Sequence, residues 1–216
     1  MRKNFAIGDT ETLNGATASY CFTYHVAFVA TNKKKEILDK INILILEHLQ
    51  LDKSGFYGKF KKEYYRQLLK DENVIICYTE TEAIEVLKKW FEKWEVSTIC
   101  AHNSGFDFEK TFLQYLVKDF DFIDTQFAFF DTIGHYRKFK KFCLENGYVT
   151  KYKNCKMTAE ICYRFITGNT DFVEEHTALA DSEIETEILF AVWDTHRKFT
   201  RNAHKGNFLK LQVKAV

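Results

Sequence analysis

The chain predicts an α/β fold built on a mixed sheet, and three observations carry that reading. Apolar, β-branched runs of strand length crowd its first 46 residues. Strands then alternate with helical patterns as far as residue 198. The 216 residues are 46% apolar and 28% charged, which suits one soluble domain with a real core.

Residues 4–9 form the first expected strand and Tyr20 to Ala30, rich in β-branched and aromatic side chains, the second. The polar turn Thr31-Asn32-Lys33-Lys34 leads into a third, Glu36 to Leu46, so these two make a hairpin. His48 to Asn73 differs in character, with Gly55, Gly58, Tyr57, Tyr64, Tyr65 and many lysines; Lys59 to Lys70 reads as a helix. It is taken as an excursion from the core, a solvated helix with tyrosines packed beneath. A basic, aromatic surface beside a nucleic-acid track is the alternative. Val74 to Cys77 is a short strand. Glu80 to Glu95 is an amphipathic helix, with Ala83, Ile84, Leu87, Trp90, Phe91 and Trp94 at helical spacing. Ser97–Ala101 is a strand, Phe108–Val117 a helix, and Phe127–Thr132 a strand. Helices are expected at about 135–146 and 157–167. A last helix, Ala178 to Lys198, carries a stripe of Ala180, Ile184, Ile188, Ala191 and Val192.

A formal charge of +1 does not announce a nucleic-acid binder, so any basic surface must come from local patches. The six cysteines contain no Cys-x-x-Cys pair and no zinc spacing. Met1-Arg2-Lys3-Asn4 leads straight into a strand, so no signal peptide is expected, and reduced thiols in the cytoplasm are. No apolar run reaches the length of a membrane span.

Three stretches carry chemistry. In an extended strand Asp9 and Glu11 point to one face, so Phe5-Ala6-Ile7-Gly8-Asp9-Thr10-Glu11-Thr12 sets two carboxylates side by side at a strand end. Two such groups repel unless a divalent cation lies between them. A polar turn ending the strand would carry the same residues. Ala101-His102-Asn103-Ser104-Gly105-Phe106-Asp107 follows a strand and opens a helix, where Asp107 also suits the helix dipole. His176-Thr177-Ala178-Leu179-Ala180-Asp181 opens the last helix, and Asp181 lies beside its apolar stripe. A carboxylate buried there is costly unless paired or metal-bound.

In their order and spacing these motifs resemble the DnaQ-like 3′→5′ exonucleases of the DEDDh branch. Asp9-Thr10-Glu11-Thr12 matches the first motif, His102-Asn103 with Phe106-Asp107 the second, and His176 with Asp181 five residues on the third. The tyrosine branch would put Tyr where Thr177 stands. Asp131-Thr132 looks like the structural Asp-Thr that such proteins carry on a later strand. The resemblance covers about residues 4–197. It implies an RNase H-like mixed five-stranded sheet flanked by helices, with 48–73 inserted after the third strand and 198–216 as a C-terminal extension.

Four carboxylates, Asp9, Glu11, Asp107 and Asp181, balance two divalent cations, and oxygen ligands suit Mg²⁺ or Mn²⁺. Asp9 would bridge them. His176, on a loop, would take a proton from the attacking water. By resemblance Thr10, Thr12, His102, Asn103 and Phe106 shape the place of the terminal nucleotide, with Thr12 at its 3′-OH. The family commonly continues Thr-Gly-Leu; here Leu13-Asn14-Gly15 follows, so Leu13 would wedge the bases from a different place. Arg137, Lys138, Lys140, Lys141, Lys151, Lys153 and Lys156, with Lys198, Arg201, Lys205, Lys210 and Lys214 of the tail, are expected to flank the acidic pocket and hold phosphates.

The implied substrate is the 3′ end of single-stranded DNA or RNA, cleaved to nucleoside 5′-monophosphates. An oligoribonuclease-like hydrolase of short oligonucleotides is the alternative within enzymes. A binding module of the same fold is the alternative outside them, although all four acids and the histidine are present. A free-standing enzyme and a subunit serving a replication or repair partner fit the chain equally.

Overall fold

The computed structural model describes residues 3–14, 18–51, 63–202 and 214–215. A six-stranded mixed sheet has helices on both faces. Its strands are β1 (Asn4–Thr12), β2 (Thr23–Thr31), β3 (Ile37–Ile45), β4 (Ile75–Cys77), β5 (Val96–Ala101) and β6 (Asp121–Asp124). They lie in the order β4-β3-β2-β1-β5-β6. β1, β2 and β3 are antiparallel neighbours, whereas β4, β5 and β6 each pair in parallel. The helices are α1 (Leu46–Leu51), α2 (Glu80–Lys93), α3 (Asp107–Lys110), α4 (Thr125–Phe129), α5 (Arg137–Glu145), α6 (Ala159–Thr167) and α7 (Ala178–Asp194). Residues 63–68 are helical as well.

Alternation along β1 divides two cores. Phe5 and Ile7 join Ile184, Ile188 and Leu189 of α7 on one face. Ala6 joins Phe28, Leu87 and Phe91 on the other. Gly8 lies opposite Phe28 in the β1–β2 register. A Cβ there would stand 2.2 Å from Cε1 of Phe28, whose ring is fully buried and meets Phe91 edge-on at 5.1 Å. The neighbour of Asp9 therefore has to be glycine. Gly8→Ala should cost about 1–3 kcal/mol, read as a lower denaturant midpoint, because the ring has nowhere to go.

Several expectations are corrected. The mixed sheet has six strands rather than five: the short strand expected at Val74–Cys77 forms at one edge as β4, and β6 at Asp121–Asp124, at the other edge, was not expected. β1 runs on to Thr12, because pairing with β2 continues to Thr12 opposite Thr23. Phe127–Thr132 is no strand. Asp124 ends β6 and caps α4, accepting the Gln126 and Phe127 N–H groups, and a π-helical turn at Phe130–Gly134 follows. A short run of buried aromatics suits strand and helix alike, and the cap decides. The helix expected over 108–117 is only α3, followed by two 3₁₀ turns. Thr111 is extended, and its hydroxyl closes α3 on the Asp107 carbonyl and caps the next turn at Leu113. α7 is buried on more than one side, between the sheet and α4 and α6, so Asp181, Ser182, Glu185 and Thr186 are enclosed with its apolar residues. Ala180 and Ala191, expected in the stripe, are half-buried.

Tyr65 is buried beside Tyr24 and His25, so this tyrosine does pack beneath its helix. Gly55, Tyr57, Gly58 and Lys59 lie outside the described residues, as do Lys205 and Lys210. All six cysteines are buried and none is in a disulfide. Past α7 the chain docks onto the body. Thr200 donates its N–H and hydroxyl to the Asp131 carboxylate, each at 2.7 Å, and Ala215 N–H reaches the Lys153 carbonyl at 3.0 Å. Among the described residues no helix is long and apolar enough to cross a membrane.

Candidate active site

The odd-numbered face of β1, apolar at Phe5 and Ile7, turns acidic at Asp9 and Glu11 where the core ends. α7 lies across this face. Ser182 stands at this contact, its hydroxyl 3.1 Å from the carbonyl of Ala27, the β2 residue opposite Asp9, and 2.6 Å from the Ala178 carbonyl of its own helix. Asp181 is thereby held against the strand end. Asp9, Glu11 and Asp181 each offer an oxygen within 4.8 Å of the others. Asp107 comes from the adjacent parallel strand, as the first residue of α3 after β5. The Thr10 hydroxyl donates to its Oδ1 at 2.5 Å. All four acids line one cavity of about 290 Å³ with His176, His102, Asn103, Phe106 and Thr10. Thus acids from three distant parts of the chain meet in one cavity.

Among the described residues the cavity wall contains no lysine or arginine. Burial, followed by the charges of Asp107, Glu185, Asp181 and Glu11, raises the pKa of Asp9 well above the usual carboxylate range. Burial likewise pushes Asp107 up to about 7, against the lowering effect of the Thr10 hydrogen bond. Such a group makes the uncharged or cation-bound state the comfortable one. Carboxylate oxygens, with no thiolate, suit a hard divalent cation, so the residues fit Mg²⁺ or Mn²⁺.

A pH dependence follows. Below the ordinary carboxylate range Asp107 holds its proton whether the chain is folded or not. Between that range and about 7 only the folded chain holds it, so the stability present in full below that range is lost progressively as pH rises to about 7. In chelator the melting temperature should fall between about pH 5 and about pH 8, and saturating Mn²⁺ should flatten or reverse that fall. Thermal melts across this range, with and without metal, check it.

His176 is exposed at the rim, with a left-handed backbone (φ 53°). Its Nδ1 lies 3.3 Å from Oε2 of Glu174. Glu174, Asp181 and His176 also bring ligand atoms within 4.8 Å of one another. Glu174 was not among the residues singled out from sequence. The available signal was an acid two residues from the histidine, too common a pattern to weigh.

His102 lines the cavity, but both ring nitrogens serve the protein. Nε2 is 2.8 Å from the Met157 carbonyl, which can only accept, so Nε2 carries the proton. Nδ1 then accepts from the Thr125 hydroxyl at 3.0 Å. Burial lowers its pKa to about 4, so the ring stays neutral and ties the 157–159 segment to the site.

The loop between β5 and α3 is held by Asp124. Its carboxylate accepts the Asn103 and Ser104 N–H groups and the Ser104 hydroxyl at 3.0–3.3 Å. Asn103 sits at φ 65°, a conformation asparagine tolerates. The strand-end Asp-Thr is therefore Asp124-Thr125. Asp131-Thr132, expected on a strand, lies in the π-helical turn, where Asp131 binds the tail.

Thr12 and Leu13 are not in the cavity wall. The Thr12 hydroxyl donates to the Asn14 carbonyl, and Leu13 packs on the cluster of Tyr24, Leu44, Tyr65 and Val74. Lys198 and Arg201 line a separate groove with Phe5, Lys33, Trp193 and Arg197, so this part of the basic set does not border the acids. Lys156 directly precedes Met157, which His102 binds beside the site.

No family model and no curated protein matches the sequence. Solved structures do match the fold. A full-length 3′-exonuclease superposes with a TM-score of 0.62 at 14% identity, over 94% of this chain and 87% of its own. Cell-death related nuclease 4 gives 0.54 at 16%, over 93% and 67%. The zinc-bound complex of E. coli exonuclease I with single-stranded DNA gives 0.55 at 12%, over 91% of this chain and 41% of that longer one. At these identities the likeness is one of fold: this mixed sheet, flanked by helices, is the RNase H-like sheet of those exonucleases.

Proposed function

We propose that the chain is a metal-dependent 3′→5′ exonuclease that releases nucleoside 5′-monophosphates from single-stranded ends. The observation that carries this reading is the meeting of Asp9, Glu11, Asp107 and Asp181 in one cavity with a carboxylate-held histidine at its rim. Two exonucleases and a nuclease of the same fold support it.

Divalent cations bound by these carboxylates would supply positive charge to the attacking and the leaving oxygen of the phosphodiester displacement. Asp9, Glu11 and Asp181 would hold them, with Asp107 at the start of α3. Thr10 holds the Asp107 carboxylate in place. His176 takes the proton of the attacking water, and Glu174 orients its ring through Nδ1. The water oxygen bonds to phosphorus, the bond to the 3′ oxygen of the preceding nucleotide breaks, and that oxygen is protonated. Asn103 and Phe106, on the loop that Asp124 fixes, would receive the terminal nucleotide. The lysines of 137–156 would meet the phosphates further along, which makes binding salt-dependent.

End-labelled single-stranded and duplex DNA and RNA, incubated with Mg²⁺, Mn²⁺ or chelator, test the proposal. Stepwise shortening from the 3′ end, dependent on metal and yielding 5′-monophosphates, is expected. Cleavage that persists in chelator, or that starts from the 5′ end, would overturn it.

A further inference from the structure

Glu185 has no part in the chemistry above, yet it stands in the same cavity. It lies one helical turn beyond Asp181 on α7, so both carboxylates leave the helix on one face. It is 2% exposed, and Oε2 accepts the His102 N–H at 2.9 Å. That N–H belongs to the first residue after β5, where the loop to Asn103, Phe106 and Asp107 begins. Nothing about this hydrogen bond requires a charge. A glutamine in the same pose would accept it equally well and would spare the helix a second buried carboxylate one turn from the first. The neighbouring charges make the burial worse: Asp107 and Asp181 act on Glu185, and Glu185 in turn acts on Asp9.

We propose that Glu185 is a positioning residue of the cation site, which anchors the His102 loop through one oxygen and tightens divalent-cation binding through its negative charge. This rests on the reading that the acidic cavity holds divalent cations, and it assigns the site a fifth carboxylate beyond Asp9, Glu11, Asp107 and Asp181. With Glu185 the cavity supplies more negative charge than four ligands would. It should therefore hold cations at lower free concentrations, at the expense of apo stability.

Calorimetric titration of the purified chain with Mn²⁺, and thermal melts in chelator and in saturating Mn²⁺, test this on the wild type, Glu185→Gln and Glu185→Asp. Glu185→Gln should bind Mn²⁺ about tenfold more weakly, as removal of outer-sphere partners commonly does. Its melting temperature in chelator should equal or exceed that of the wild type, since a carboxyl group whose ionised form is disfavoured by burial and by its acidic neighbours has gone. Glu185→Asp keeps the charge and should recover most of the Mn²⁺ affinity. A Glu185→Gln affinity within about twofold of the wild type would overturn the proposal. So would a lower melting temperature in chelator, or failure to fold there, which would show that the carboxyl group of Glu185 stabilises the fold with no cation present. If the wild type binds Mn²⁺ and Glu185→Gln binds it equally, this inference falls alone. If the wild type binds no Mn²⁺, the nuclease reading falls with it.

Discussion

Asp9→Asn should lower phosphodiester hydrolysis by about a thousandfold or more, the scale expected when a cation ligand and its charge are lost from a preorganised site. The same change should leave the fold intact and raise the melting temperature in chelator. Asp9 is surrounded by the charges of Asp107, Glu185, Asp181 and Glu11, and a neutral amide of the same shape ends that repulsion. Opposite signs for activity and apo stability separate a site residue from a structural one. Hydrolysis above about a tenth of wild type in the purified variant would remove Asp9 from the chemistry.

Asp124→Ala should be among the most damaging single changes to stability, costing about 3–5 kcal/mol, because it strips a buried carboxylate from several donors at once. Asp124 serves two structures. It accepts the Gln126 and Phe127 N–H groups at 2.9 and 3.1 Å, capping α4. It also accepts the Asn103 N–H and the Ser104 N–H and hydroxyl, fixing the loop that leads to Asp107. Asp124→Asn keeps an acceptor oxygen and should fall between the two. Denaturant unfolding measures both, and a loss below about 1 kcal/mol for the alanine variant would contradict this role. Activity should fall with the loop even though Asp124 does not line the cavity.

The strands beside the site were legible because β1 and β2 obey simple chain rules. Apolar residues alternate faces at Phe5, Ala6 and Ile7, and the same alternation puts Asp9 and Glu11 together. As local patterns of a loop opening a helix Asp107 and Asp181 were each ambiguous; it was the resemblance in motif order and spacing that set them beside Asp9, and the three line one cavity. The aromatic run at Phe127–Phe130 was not, since burial on all sides erases periodicity and only the Asp124 cap shows that the chain turns helical. Glu185 was hidden for a related reason. In an exposed helix a glutamate four residues from an aspartate is ordinary, and only the packing of α7 between the sheet and α4 and α6 reveals that it is enclosed. The place of Leu13 likewise depends on Tyr24 and Tyr65, partners remote in sequence.

Anomalous scattering from crystals of the chain soaked in Mn²⁺ tests the cation site itself. The predicted result is a Mn²⁺ peak bonded to oxygens of Asp9, Glu11 and Asp181, lost in Asp9→Asn. A map with no peak at these carboxylates, at a Mn²⁺ concentration that supports cleavage in solution, would contradict it.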